Sequence, residues 1–271
     1  MKKISIITVN FNDQAGLEKT ILSVGEQHYT DFEFLVIDGG STDGSKAILE
    51  KYKNKIDLAI SEPDNGIYHA MNKGINAAKG EYLLFLNSGD RLHQAETLSK
   101  VSALMAQPAD IYYGDIIYEE PSGNKREVNF PTNLDFSYFY AFNISHQASF
   151  IQKSLFDKVG LYNESYKIVS DWEFFMLSIF KYDATYRHLG LIVSDYDGSG
   201  ISSNTGNHPS MYKEREQTIT KFFKGFSSDY QLLKLYDDKY FKRLLHLKTN
   251  NKVSWSLIKG LIKLLWAIKS K

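Results

Sequence analysis

The sequence predicts an α/β protein built on a mostly parallel sheet with helices on both faces. Three features of the first 90 residues carry that expectation. Four short apolar runs rich in β-branched or aromatic residues recur, segments with apolar residues at helical spacing separate them, and each run stops at a polar or glycine-rich turn. Parallel strands covered on both faces read as continuous apolar runs, not as alternating ones.

In chain order, Ile4 to Val9 is the first strand, ended by Asn10-Phe11-Asn12-Asp13. Leu17, Ile21, Leu22 and Val24 then recur as the apolar stripe of a helix. Phe32 to Ile37 is the second strand, and Asp38 to Gly44 a Gly-rich turn with a helix N-cap candidate. Leu58 to Ile60 is a short third strand, Ile67 to Ala78 a helix, and Tyr82 to Leu86 a fourth strand ending in Asn87-Ser88-Gly89-Asp90. Ligands of open parallel sheets bind beyond the carboxyl ends of the strands. Here those ends carry Asn10, Asp38, the Glu62-Pro63-Asp64 turn and Asp90.

Beyond residue 109 the pattern is mixed. Ile111 to Tyr118 and Lys125 to Phe130 read as a hairpin, followed by an aromatic stretch from Phe136 to Phe142, a helix from Ser170 to about Lys181 and a strand near Leu189 to Tyr196. Asp197 to Pro209 reads as a mobile polar loop, and the last sixty residues as helices. The expected division is 1–205 as catalytic domain, with a nucleotide-binding half at 1–108 and an acceptor half at 109–205, then a helical region at 206–271.

With no cysteine, disulfides and thiolate metal sites are excluded, and a reducing compartment suits the chain. The N-terminal run is too short for a signal peptide or a membrane span. The turn after the first strand lacks the dinucleotide fingerprint and no GxxxxGK[ST] occurs, which argues against nicotinamide dehydrogenases and P-loop NTPases. The zero net charge conceals an asymmetry: nine basic residues and no acid follow Asp238, against a net charge of −9 over residues 1–238.

Read locally, Asp90 is either a turn-forming residue beside a glycine or a hard-oxygen ligand for Mg²⁺ or Mn²⁺. Asp38 has the same two readings, turn or nucleobase acceptor. Together the segments Ser5–Asn12, Val36–Gly44, Ser61–Gly74 and Gly80–Asp90 resemble, in order and spacing, the inverting glycosyltransferase family 2 with its GT-A fold, and within it bacterial surface-polysaccharide members of the colanic-acid type. The resemblance covers roughly residues 1–205. It implies that Thr8, Asn10, Phe11 and Asp38 hold the base and ribose of a nucleotide-sugar. Asp64, Asn72 and Lys73 would flank the nucleotide, Ser88 and Gly89 would approach it, and Asp90 would bind the Mn²⁺ or Mg²⁺ bridging its diphosphate. Asn87 and Gly89 stand where the family usually has further acids, and Met71 where many members have Arg.

Inverting transfer needs a base for the acceptor hydroxyl. In Ser170-Asp171-Trp172-Glu173 the resemblance makes Asp171 that base and Glu173 a supporting acid; the local alternative is that Asp171 favours the helix N-terminus. His146-Gln147 matches a pair of the family that orients acceptor or sugar, and a satisfied, partly buried histidine is the alternative. The Gly198–Asn204 segment with Ser202 resembles a lid closing over the donor, and a plain surface loop is the alternative. The Tyr138–Phe142 aromatics are either sugar-stacking or core.

The implied activity is transfer of a sugar, from a UDP-sugar first of all, to a glycan or lipid-linked acceptor in surface-polysaccharide assembly. A catalytically silent carbohydrate- or membrane-binding scaffold is the alternative. A sugar nucleotidyltransferase fits less well, since the first turn lacks a Gly-rich, Arg/Lys-bearing loop. Val253 to Ile268 places Leu257, Ile258, Leu261, Ile262 and Leu265 at helical spacing with two Trp and interrupting lysines. This pattern lies on an anionic membrane surface, through residues 239–271, instead of crossing it; the alternative is packing on the catalytic domain or a dimer partner. The expected location is the inner face of the plasma membrane. The acidic remainder argues against nucleic acid, and a homodimer stays open.

Overall fold

The computed structural model describes residues 3–203, 205–226 and 239–269. It divides into Met1–Thr218 and Ile219–Lys271. The larger unit opens as β1 (Ile4–Asn10), α1 (Gln14–Gly25), β2 (Phe32–Asp38), α2 (Ser45–Lys51), β3 (Leu58–Ser61), α3 (Ile67–Ala77) and β4 (Tyr82–Phe85). It continues as β5 (Arg91–Leu92), α4 (Thr97–Leu104), β6 (Ile111–Glu119), β7 (Lys125–Val128), α5 (Phe136–Ala141), β8 (Ser149–Gln152), α6 (Lys153–Val159), α7 (Ser170–Phe180) and β9 (Tyr186–Asp197). The helix α8 (His208–Phe222) follows.

The sheet runs β3-β2-β1-β4-β8-β6-β9-β5, with β7 on β6. β1, β2, β3 and β4 are parallel in register, so Asn10 lies beside Asp38 and Asp38 beside Ser61. All seven residues of β1 are buried, as a strand covered on both faces requires. On one face Ile4, Ile6, Phe34, Val36 and Leu84 pack with Leu17, Ile21 and Val24 of α1 and with Leu98 and Val101 of α4. On the other, α3 comes so close to β1 that a methyl group at Gly74 would sit 2.4 Å from Ile7 Cγ2. An aromatic group of Phe85, Phe156, Tyr162 and Phe174 ties β4 to α6 and α7.

Two stretches differ from the sequence reading. The aromatic stretch contains a helix, α5, whose N-cap Asp135 accepts from Tyr138 N. The polar loop after Asp197 contains short 3₁₀ turns at Ile201–Ser203 and Thr205–Asn207 before α8 begins at His208. The short β5 and α4 and the helix α6 had no clear pattern in the sequence. In the smaller unit, α9 (Lys239–Asn250) and α10 (Lys252–Lys269) are helical as expected. Residues 227–238, also expected to be helical, lie outside the described residues, as does Asn204 of the expected lid.

Candidate active site

Two cavities open beyond the carboxyl ends of the strands and share a wall formed by His146, Gln147, Ile168, Asp171, Tyr196 and Ser202. The first, about 750 Å³, takes its floor from the ends of β1, β2 and β4. Asn10, at the end of β1, ties that floor together. Its amide nitrogen donates to Asp38 Oδ1 at 2.7 Å, and its amide oxygen accepts from Ser88 Oγ at 2.8 Å. Asp38 also accepts from Ser41 Oγ, Ser61 Oγ and Ser41 N. Burial pushes its carboxyl upward, but the hydrogen bonds from Ser41, Ser61 and Asn10 outweigh it and hold the group below the ordinary aspartate value. Phe11 is 67% exposed at the rim. A methyl group at Gly39 would lie 2.5 Å from Asp64 Oδ2 and 3.1 Å from Phe11, so glycine leaves room between the carboxylate and the ring.

The Asn87–Asp90 turn is held from α1, where Thr20 Oγ1 donates to Asp90 O at 2.7 Å and accepts from Gly89 N at 3.1 Å. Gly89 has a positive φ of 95°, and a side chain there would meet Asp197 Oδ2 at 2.8 Å. Asp90 is buried, accepts from Asp197 N at 2.9 Å and is hydrogen-bonded by Gln147. Burial pushes its carboxyl up to about 7 against the pull of the Asp197 amide, His146 and Gln147.

Asp171, in the first turn of α7, accepts from Tyr68 Oη on Oδ1 (3.2 Å) and from Asn143 Nδ2 on Oδ2 (3.1 Å), while His146 Nδ1 lies 3.0 Å from Oδ2. Burial and the nearby Asp171 charge push the Tyr68 hydroxyl far up, so it stays a donor. The strap before α7 is pinned from α8, because Glu214 accepts from the backbone nitrogens of Lys167, Ile168 and Val169. The second cavity, about 500 Å³, extends from Asp171 along Tyr118, Phe130, Tyr138, Phe142 and Trp172, with Arg126 and Arg215 on its wall.

Thus the structure brings Asn10, Phe11, Asp64, Ser88, Asp90, His146, Gln147, Asp171 and Ser202 to cavity walls, with Asp38 and Gly89 directly behind them. Four expected site residues stand elsewhere. Thr8 is buried within the sheet and donates to Leu86 O. Asn72 lies one turn beyond Tyr68, and its amide is engaged by Tyr162 N, Tyr162 O and Glu164 Oε1. Lys73 pairs with Glu62 at 2.8 Å. Glu173 is about 200° around the helix from Asp171 and accepts from Thr218 Oγ1, so a supporting role at the base has no geometric footing. Tyr68, Asn143, Lys167, Glu214 and Asp197 were missed. Asp197 carried a readable signal as one more carboxylate at a strand end; Glu214 carried none.

The donor set around Asp90 fits a hard divalent cation. Asn87 Oδ1 is buried with no partner among the described residues, and the Asp197 carboxylate lies against Gly89. Among the described residues no three His, Cys, Asp or Glu form a preassembled cation site. The first cavity is walled by Asp13, Asp64, Asp90, Asp171 and Asp197 against one lysine, Lys167. A diphosphate entering such a field needs positive charge brought with it.

Comparison with known proteins gives a consistent result. The family model described as glycosyl transferase family 2 matches residues 5–160. A PGL/p-HBAD biosynthesis glycosyltransferase of Mycobacterium tuberculosis is 34% identical over 209 residues, 74% of this chain and 79% of that protein. The poly(ribitol-phosphate) beta-N-acetylglucosaminyltransferase TarP of Staphylococcus aureus is 25% identical, covering 76% of this chain and 68% of its own. The structure of S. aureus TarS 1–349 in complex with UDP-GlcNAc superposes with a TM-score of 0.69 at 20% identity, over 90% of this chain and 75% of TarS. A mannosyltransferase from Pyrobaculum calidifontis in complex with GDP-Man and Mn²⁺ gives 0.61 at 13% identity, over 97% of this chain and 80% of its own.

Proposed function

The chain belongs to glycosyl transferase family 2, with the GT-A fold, and on that premise we propose that it moves a sugar with inversion from a nucleotide-diphosphate sugar, a UDP-sugar first of all, to a hydroxyl of a glycan or lipid-linked acceptor. The observation that carries this reading is the place of Asp171 on the wall between two cavities, one floored by strand ends suited to a nucleotide and one lined by aromatic rings. Asp171 takes the proton of the acceptor hydroxyl as its oxygen bonds to the anomeric carbon. The bond to the nucleoside diphosphate breaks on the opposite face, and the nucleoside diphosphate leaves with the electron pair.

Tyr68, Asn143 and His146 hold the Asp171 carboxylate in place. Asn10 aligns the two donor loops, Phe11 and Asp64 flank the base and ribose, and Ser202 joins the walls of both cavities from the expected lid. Mn²⁺ or Mg²⁺, held by Asp90 with Asp197 and Asn87 as neighbours, would supply the charge that neutralises the diphosphate.

The test is thermal stabilisation by UDP, GDP and dTDP with and without Mn²⁺. A metal-dependent rise with one nucleotide, equivalent to about 2–3 kcal/mol at saturation and lost in Asp90→Ala, is the expected result. No rise with any nucleotide, together with no turnover of UDP-sugars, would leave the silent scaffold.

A second reading concerns location. No helix among the described residues is long and apolar enough to cross a membrane. On α10, Lys252, Lys259 and Lys263 form one narrow stripe, while Val253, Leu257, Leu261, Leu264, Leu265 and Trp266 are exposed around it. This supports docking on an anionic bilayer at the inner face of the plasma membrane. Sedimentation with phosphatidylglycerol-containing vesicles but not with pure phosphatidylcholine checks it; equal binding to both removes the electrostatic part.

A further inference from the structure

His146 sits between the two halves of the site. Its Nδ1 is 3.0 Å from Asp171 Oδ2, and its Nε2 is 3.3 Å from Asn87 Nδ2, in the turn that carries Asp90. An ionised carboxylate only accepts hydrogen bonds, so the ring proton belongs on Nδ1. A neutral imidazole then has its lone pair on Nε2, and that lone pair takes a donor. Asn87 therefore turns its amide nitrogen to the ring and its oxygen away, which matches an Asn87 Oδ1 buried with no partner among the described residues. Asn87 itself lines the nucleotide-side cavity.

We propose that His146 is a positioning residue that couples the base to the diphosphate loop: the charge on Asp171 fixes the Nδ1–H tautomer, and that tautomer fixes the Asn87 amide with its oxygen free for an electropositive group of the bound donor complex. The proposal rests on reading Asp171 as the base. It gives a role to Asn87, the neutral side chain in this loop. A neutral side chain has a defined orientation there only because a ring of fixed tautomer stands behind it. Its neighbour Gln147 serves Asp90 in the same way, so one 3₁₀ turn, His146–Ala148, orients both carboxylates. Coupling of this kind is reciprocal: whatever fixes the Asn87 amide also favours the tautomer that holds Asp171.

The test uses the full chain labelled with ¹⁵N-histidine and free of nucleotide and metal, with the His146 signals identified by their loss in His146→Gln. Long-range ¹H–¹⁵N spectra are expected to show a protonated Nδ1 and a bare Nε2. In Asp171→Asn the preference is expected to vanish or reverse. A wild-type ring protonated at Nε2, or a tautomer unchanged in Asp171→Asn, overturns the proposal.

Turnover gives an independent arm. His146→Gln, which removes the donor to Asp171 but keeps an amide oxygen at the place of Nε2 for Asn87, lowers kcat about 10–100-fold with nucleotide affinity retained. His146→Asn, whose amide nitrogen takes the place of Nδ1, recovers most of that loss; equal losses in the two variants would mean a merely structural histidine. The reading of Asp171 as base fails separately, if Asp171→Asn turns over like wild type, whatever the tautomer.

Discussion

The two cavities that meet at Asp171 are built on different plans. The larger draws its floor from strand ends within the first 90 residues, and among the described residues its wall carries five aspartates against one lysine. The smaller draws from β6, β7, α5, the strap before α7 and α8, and among the described residues its wall carries aromatic rings, two arginines and one carboxylate, Asp171. On the proposed reading the first would hold an anionic ligand only together with positive charge, through groups fixed by backbone register. The second would receive a ring or chain of the acceptor by contact area. A scaffold that keeps its donor chemistry while altering its acceptor would be divided in this way.

The difference is broken most severely at the shared residue. Asp171→Asn keeps the shape of the wall and removes the proton acceptor, so kcat is expected to fall about 10²–10⁴-fold while nucleotide stabilisation persists. Single-turnover transfer and the thermal shift, measured on one preparation, check this. Loss of both would mean that Asp171 supports the fold instead of the chemistry.

Asp90 sharpens the contrast on the donor side. With its carboxyl pushed up to about 7, the metal-free protein holds a proton there that a cation must displace. Affinity for Mn²⁺ with nucleotide should therefore rise as pH increases toward 7, by about tenfold per unit at most for one proton released, and level off above it. Titration calorimetry from pH 5.5 to 8.5 measures the slope; a flat profile below 7 sinks the assignment. The same raised value means that folding is favoured by the bound proton below pH 7. This contribution is lost as pH climbs through 7.

How much of this was legible in the sequence follows the same division. Asn10, Asp64 and Asp90 could be read because a parallel strand delivers its last residue to the ligand edge, so position along the chain gives position in space. That logic fails once a helix intervenes. Asn72 and Lys73 belong to the same segment as Tyr68, yet one helical turn, about 6 Å, carries them past the cavity into contacts with Tyr162 and Glu62. Glu173 fails for an angular reason, two residues around α7 from Asp171. Asn143 and Glu214 reach Asp171 or the strap before α7 only through tertiary packing of the segment after α5 and of α8, and no local periodicity reports such a meeting. Lys125 to Phe130 was readable as a hairpin strand, but not as one bringing Arg126 over the Tyr118 ring on the wall of the second cavity.

The mildest expected effect lies on the aromatic wall of the second cavity. Phe142 is 61% exposed and stacks on Tyr138 with ring centroids 5.5 Å apart, facing the second cavity and absent from the first. An aromatic face lost from a partly hydrated wall costs about 0.5–1.5 kcal/mol of contact, equivalent to a few-fold to tenfold change. Phe142→Ala is therefore expected to raise KM for the acceptor by that factor, with kcat at saturating acceptor and the nucleotide-induced thermal shift unchanged. Initial rates across an acceptor series at fixed donor separate the two parameters. A change in donor KM instead would show that the two cavities are one continuous site, with the acceptor wall taking part in holding the nucleotide-sugar.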